Sequence, residues 1–243
     1  MKQFLCILLL VVSILFSGCK EKDKSKNTNL SETTEKWISL FNGKDLDNWI
    51  VKIKGHPLGK NIHNTFRVEN GVIKVSYDGY ENFNNSFGHM FYKSPFSNYI
   101  LRLQYRFIGE QVADGADWAK RNSGVMIHCQ PPESMRINQD FPLSIEVQLL
   151  GGFDENAERP TVNLCTPGNN VVMNGELFTP HCVVSTSKTY YGEQWVNLEV
   201  IVKNDSITHL INGEKVISYS TPQVGGDLND FSDEWKSKDG HLL

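Results

Sequence analysis

Apolar residues in this chain recur at every second position, and that period constrains the fold more than any other feature of the sequence. In NYILRLQYRFI, residues 98–108, Leu101, Leu103, Tyr105 and Phe107 fall on one face, and Arg102, Gln104 and Arg106 fall on the other. Side chains alternate across a strand but recur every 3.6 residues along a helix, so the segment reads as a half-buried strand. Asn70-Gly71 interrupts the alternating stretch Phe66–Tyr77, and Asn212-Gly213 separates Ile207–Ile211 from Lys215–Tyr219. A tight two-residue hairpin needs positive φ at both turn positions, which Asn and Gly tolerate. Further strands are predicted at Gly88–Lys93, Ser123–Cys129, Ser144–Leu150 and Trp195–Lys203, with Trp49 and Trp195 as core residues at strand ends. No run of ten or more residues carries a capped helical pattern. Many short antiparallel strands punctuated by Gly, Pro and Asn predict a sandwich or jelly roll.

The first nineteen residues, MKQFLCILLLVVSILFSGC, have a Lys, an apolar run and small residues before Cys19. The run is short for a spanning helix and has the order of a secretory leader. Phe16-Ser17-Gly18-Cys19 resembles the bacterial lipobox, which predicts lipidation of Cys19 and a protein exported and lipid-anchored to the bacterial envelope, periplasmic or outer-membrane surface. The alternative is an ordinary leader with an incidental Cys. Residues 20–36 are polar and charged with a single Leu, a composition that cannot bury enough apolar surface to order itself and reads as a flexible tether. Residues 37–243 then form one domain.

A formal net charge of −4 provides no basic footprint for nucleic acid. Nothing after the leader approaches transmembrane length. With Cys6 in the leader and Cys19 lipidated, Cys129, Cys165 and Cys182 remain. An exported setting permits one disulfide, for which Cys165–Cys182 is the preferred pair, against buried free thiols. Cys165 with His181-Cys182 does not have a zinc spacing.

The ordered set WISLFNGKDLDNW, FRVENGVIKV, SNYILRLQYRF, NSGVMIHCQ, SIEVQLLGG, NLCTPGNNVVMNG, HCVVSTSKTYYGEQWVNLEVIV and THLINGEKVISY resembles the 3-keto-disaccharide hydrolase family over nearly the whole chain after the tether. The resemblance implies an all-β, concanavalin A-like jelly-roll sandwich of two antiparallel sheets, and activity on glycosides whose sugar carries a ketone at C3. Family members continue past the last hairpin with further strands. This chain ends at Lys238–Leu243, so the domain is expected to lack its last strands.

A C3 ketone acidifies the proton on C2, so cleavage can proceed by deprotonation, expulsion of the C1 substituent and addition of water. That route needs a base, an enolate stabiliser and a proton donor. Ser144, Glu146 and Gln148 alternate onto one face of a predicted strand, and Glu146 is the leading candidate for base or metal ligand. Laminarinase-type jelly-roll enzymes carry two or three acids on such a strand. A lone Glu argues against the paired carboxylates of a conventional glycosidase. His128, expected on the same face as Gly124, Met126 and Asn122, is the second candidate for catalysis. His128 and Glu146 together would suit a divalent metal ion polarising the ketone. Expected substrate-binding residues are Gln148, Asn122, Arg121, Trp118 and Arg102, the last on a polar face that either lines a groove or meets water. Gly225–Glu234 is acidic but has no calcium-loop spacing. The expected partner is an oligosaccharide or glycoside substrate, with a non-catalytic glycan-binding lipoprotein or a conventional jelly-roll glycosidase as the alternatives.

Overall fold

Leu101 and Leu103 pack inward and Arg102 and Gln104 face out, as the alternation predicts. The computed structural model describes residues 36–225. The leader with Cys19, the tether up to residue 35, residues 226–234 of the acidic stretch and the chain end at Lys238–Leu243 lie outside the described residues.

The strands are β1 (Trp49–Ile53), β2 (Phe66–Glu69), β3 (Val72–Val75), β4 (Gly88–Tyr92), β5 (Tyr99–Tyr105), β6 (Asn122–Ile127) and β7 (Ile145–Leu150). They continue as β8 (Asn163–Cys165), β9 (Asn169–Met173), β10 (Glu176–Phe178), β11 (Cys182–Val183), β12 (Val196–Lys203), β13 (Ser206–Ile211) and β14 (Glu214–Val224). Helical structure among the described residues is confined to short 3-10 turns, including Asp117–Ala119. None of these is long and apolar enough to cross a membrane.

Two antiparallel sheets make the sandwich. One has six strands in the order β10-β9-β14-β13-β12-β5, and the other has four in the order β11-β8-β7-β6. The chain passes from one sheet to the other after β5, β8, β10 and β11, which is the connectivity of a jelly roll and not of an up-and-down meander. Asn70-Gly71 and Asn212-Gly213 turn with positive φ at both positions, and Asn174-Gly175 makes a third such hairpin between β9 and β10.

Ile145, Val147 and Leu149 of β7 face Leu198, Val200 and Val202 of β12 in one core. Each such side chain contributes about 1.5–3 kcal/mol of burial. Because Leu101 and Leu103 share that core, Arg102 leaves the opposite sheet on the surface farthest from Glu146. Arg102 pairs there with Glu199, its register partner on β12, and Gln104 Nε2 donates to Asn197 Oδ1 at 2.7 Å. This corrects the expectation that Arg102 binds substrate and leaves its alternative, a polar face that meets water: alternation fixes the face but not which sheet lies behind it. Trp195 is likewise not a core residue. It is 47% exposed, with the Arg106 guanidinium 4.8 Å above its ring. Trp49 is half-buried, edge-on to Tyr92.

One polar residue lies at the centre of the core. His209 of β13 is fully buried; its Nδ1–H donates to the carbonyl of Val162 at 3.1 Å, and Nε2 accepts from the Tyr219 hydroxyl at 2.8 Å. Those partners fix the neutral tautomer, and burial pushes its pKa down to about 4.

A separate ribbon pairs β1 with β4. Its Lys52 is buried, and Nζ donates to the carbonyls of Ile53 and Ile137 at 3.1 and 3.0 Å. Its register partner His89 donates from Nε2 to the Asp140 carbonyl at 2.7 Å. The bonds to Ile137 and Asp140 tie the ribbon to the segment that leads into β7.

Candidate active site

Alternation along β7 puts Ile145, Val147 and Leu149 in the core and sends Glu146, Gln148 and Leu150 to the outer face of the four-stranded sheet. Glu146 is the one acidic residue in the strands of that sheet. Its register partners are Met126 on β6 and Cys165 on β8. Cys165 is joined by a disulfide to Cys182, its own register partner on β11. Ser144 Oγ–H points at the Met126 sulfur at 3.2 Å. The register neighbours of Glu146 are therefore a thioether and a disulfide sulfur, neither of which donates strongly to a carboxylate.

Among the described residues Glu146 forms no hydrogen bond and no ion pair. Burial pushes its pKa up to about 7, because the charged form loses water and gains no partner. A carboxyl that is half ionised near neutral pH, with its lone pairs uncommitted, has the properties of a general base.

The direction of the side chain is set by the neighbouring strand. A Cβ built on Gly124 would meet Glu146 Cγ at 2.7 Å and Cδ at 3.0 Å, so the carboxyl lies across β6 over Gly124. Gly124 is the register partner of Gln148. Glu146 thus leans from Met126 toward Gln148 and the Asn122 end of β6.

That lean separates Glu146 from His128. β6 ends at Ile127, and His128 turns out of the ladder with φ of 47°. Gly124 and His128 are four residues apart, about 13 Å along an extended strand, with Met126 between. His128 Nε2 is buried without a hydrogen-bond partner, and burial lowers its pKa. No hydrogen bond or ion pair joins His128 to Glu146 among the described residues. The two members of the expected catalytic and metal-binding pair thus make no direct contact, and β6 ends one residue before His128, where alternation no longer holds. No group of three or more His, Cys, Asp or Glu side chains is arranged to hold a metal among the described residues.

Gln148 stands next to Glu146 on the same face. The backbone N–H of Ser185 donates to Asn163 Oδ1 at 2.9 Å, so Asn163 Nδ2 is the donor to Gln148 Oε1 at 3.2 Å. This chain fixes the Gln148 amide and leaves its Nε2 hydrogens for an outside acceptor. Asn122 Nδ2 donates to the Trp118 carbonyl at 3.2 Å, which ties the Asp117–Ala119 turn to the start of β6. Trp118 is 55% exposed, with one face stacked on Phe87 at 5.8 Å and an edge tilted against Phe141 at 6.5 Å. It presents the open aromatic surface on which a sugar ring can lie.

Arg121 was expected to bind substrate. Its Nη1 instead donates to the carbonyls of Gly152 and Gly192 at 3.1 and 3.0 Å. Arg159, which carries no sequence signal, donates to the carbonyls of Arg121, Gly151 and Trp118. The two guanidinium groups hold the loops at the Asn122 end of the site. Half-buried Cys129, whose thiol desolvation pushes up to about 12, stays protonated at neutral pH.

A family model described as a 3-keto-alpha-glucoside-1,2-lyase-like domain matches residues 36–242. No match is found among curated proteins. Among solved structures, the chain is similar to a protein from Parabacteroides distasonis ATCC 8503 provisionally named a glycosyl hydrolase. The two are 20% identical over 84% of this chain and 77% of the other, with a TM-score of 0.42.

Proposed function

Since the chain belongs to the 3-keto-alpha-glucoside-1,2-lyase-like domain family, a group of carbohydrate hydrolases and lyases, we propose that it cleaves 3-keto-glycosides with Glu146 as the base. The observation that carries this reading is the unpartnered Glu146 carboxyl, raised to about 7 and alone as an acid on its sheet. A retaining or inverting glycosidase needs two carboxyl groups flanking the scissile bond, whereas removal of an acidified carbon-bound proton needs one base of suitable pKa.

In the proposed reaction the Glu146 carboxylate takes the proton from C2, and the C2–H electron pair moves to make an enolate on the C3 oxygen. Gln148 Nε2–H donates to that oxygen as its charge develops. Collapse of the enolate expels the C1 substituent and forms a C1–C2 double bond, and the proton on Glu146 goes to the departing oxygen. Water then adds across the double bond, with its hydroxyl at C1 and its proton at C2, so the net change is hydrolysis. Trp118 stacks on a ring of the substrate, and Asn122 orients it.

The proposed workplace is the bacterial envelope, reached by the leader and held by lipid on Cys19. A Cys165–Cys182 disulfide suits an oxidising compartment. The test compares a 3-keto disaccharide with its unoxidised parent: turnover of the keto sugar alone is expected, and equal turnover of both eliminates the mechanism.

A further inference from the structure

Gly124 sits inside β6, where a glycine costs about 0.5–1 kcal/mol relative to alanine and contributes no side chain to packing. Two needs justify such a residue: a positive φ, or the close approach of another group. The first does not apply. Gly124 is absent from the positive-φ glycines, which include Gly71, Gly175 and Gly213 at hairpin turns. The second does. All three atoms nearest to a Cβ at this position belong to the Glu146 side chain: one carboxylate oxygen, Cγ and Cδ. Gly88 yields to the packing residues Phe66 and Ile53, and Gly115 to a single polar side chain, Gln111, as Gly124 does to Glu146. Gly124 yields only to the base.

We infer that Gly124 is a positioning residue for the proposed reaction, whose missing side chain makes the trough in which the Glu146 carboxyl lies against β6. The inference rests on the reading of Glu146 as the base. A methyl group at position 124 displaces the carboxyl from the strand surface toward water, away from Gln148. Two consequences follow. The carboxyl regains hydration, so its pKa falls from about 7 toward the ordinary carboxylate range. The base also leaves the geometry in which it and Gln148 address one substrate, which lowers kcat more than it changes KM.

The test uses Gly124→Ala, Glu146→Gln, Glu146→Asp and the double variant Gly124→Ala/Glu146→Asp, with Ser123→Ala as a control on the same strand. Thermal midpoints establish folding, since alanine is tolerated in an extended strand. Carbon-13 NMR titration of the Glu146 carboxyl gives its pKa independently of turnover. Gly124→Ala is expected to lower kcat by at least about tenfold, with KM little changed and the titration midpoint moved down. Ser123→Ala should leave all three unchanged. Shortening the acid gives back the room taken by the methyl, so the double variant should be more active than the product of the single effects.

Full activity and an unmoved midpoint in Gly124→Ala overturn the inference, while inactivity of Glu146→Gln leaves the base reading standing. Full activity of Glu146→Gln overturns the base reading and with it any role for Gly124 in that reaction; a moved midpoint in Gly124→Ala then reports placement of the carboxyl alone.

Discussion

Glu146 and Cys165 face each other across the β7–β8 ladder, so the Cys165–Cys182 disulfide stands beside the strand that carries the base. Cys182 belongs to a two-residue edge strand with little else to hold it. The bridge closes a sequence separation of 17 residues, a loop whose constraint is worth about 3 kcal/mol. Replacing both cysteines by alanine should lower the thermal midpoint. Loosening β8 against β7 should also let water reach the base and shift the ascending limb of the pH–rate profile to lower pH. A limb that stays in place would separate the bridge from the surroundings of the base.

Glu146→Gln keeps the shape of the side chain and removes the base. We expect kcat on a 3-keto disaccharide to fall about 10²–10⁴-fold, the usual contribution of a positioned base. In the parent protein the rate should rise with pH and level off above about 7, as the carboxyl ionises. A rate that is flat from pH 5 to 9 would assign the step to another group.

Acid stability provides a third prediction. Folded His209 titrates near 4, against an ordinary value of 6.5. The unfolded chain binds a proton in that interval that the folded chain refuses, so up to about 3 kcal/mol of stability is lost as pH falls from 6.5 to 4. Glu146 acts in the opposite direction. Its folded value of about 7 exceeds the ordinary 4.5, so its contribution is full below 4.5 and is lost as pH rises through 7. The two slopes offset one another between 4.5 and 6.5. Urea midpoints of Glu146→Gln over that interval should therefore fall more steeply toward acid than those of the parent. Parallel curves would show that one of the two groups is not held as described.

Trp118→Ala should raise KM by about 3- to 10-fold, corresponding to roughly 0.5–1.5 kcal/mol of ring stacking, with little effect on kcat. Trp195→Ala removes an equally exposed ring on the other sheet and should leave KM unchanged, as should Arg102→Ala. A KM change in either of those variants, with Trp118→Ala silent, would move the substrate to the opposite face.

Much of this fold is legible in short stretches of sequence. Period two placed Leu101 and Val147 inward, and Asn-Gly pairs placed two hairpins; the third, Asn174-Gly175, carries the same signal. Glu146 could be selected because its apolar neighbours Ile145 and Val147 commit it to the outer face. What alternation cannot supply is the identity of the layer behind a face, which is why Arg102 reads equally as lining a groove or as meeting water. Nor can it supply the end of a strand: His128 leaves the ladder at a non-glycine residue with positive φ. Trp195, adjacent to β12, reads as core by residue type, yet the core face of that strand begins only at Val196. Gly124 carries the subtlest signal, a strand glycine whose purpose appears only when the neighbouring strand is in place.

Val162 joins the interior of the sandwich to its outer face. This β-branched residue adopts φ of 59°, a conformation that costs about 1–3 kcal/mol, and its carbonyl is held by the His209 imidazole. The next residue, Asn163, orients the Gln148 amide. Strain kept in place by a histidine in the dry centre thus sets the aim of a donor at the wet surface. Mutations at His209 should reach the chemistry through two peptide units, even though no substrate ever touches that ring.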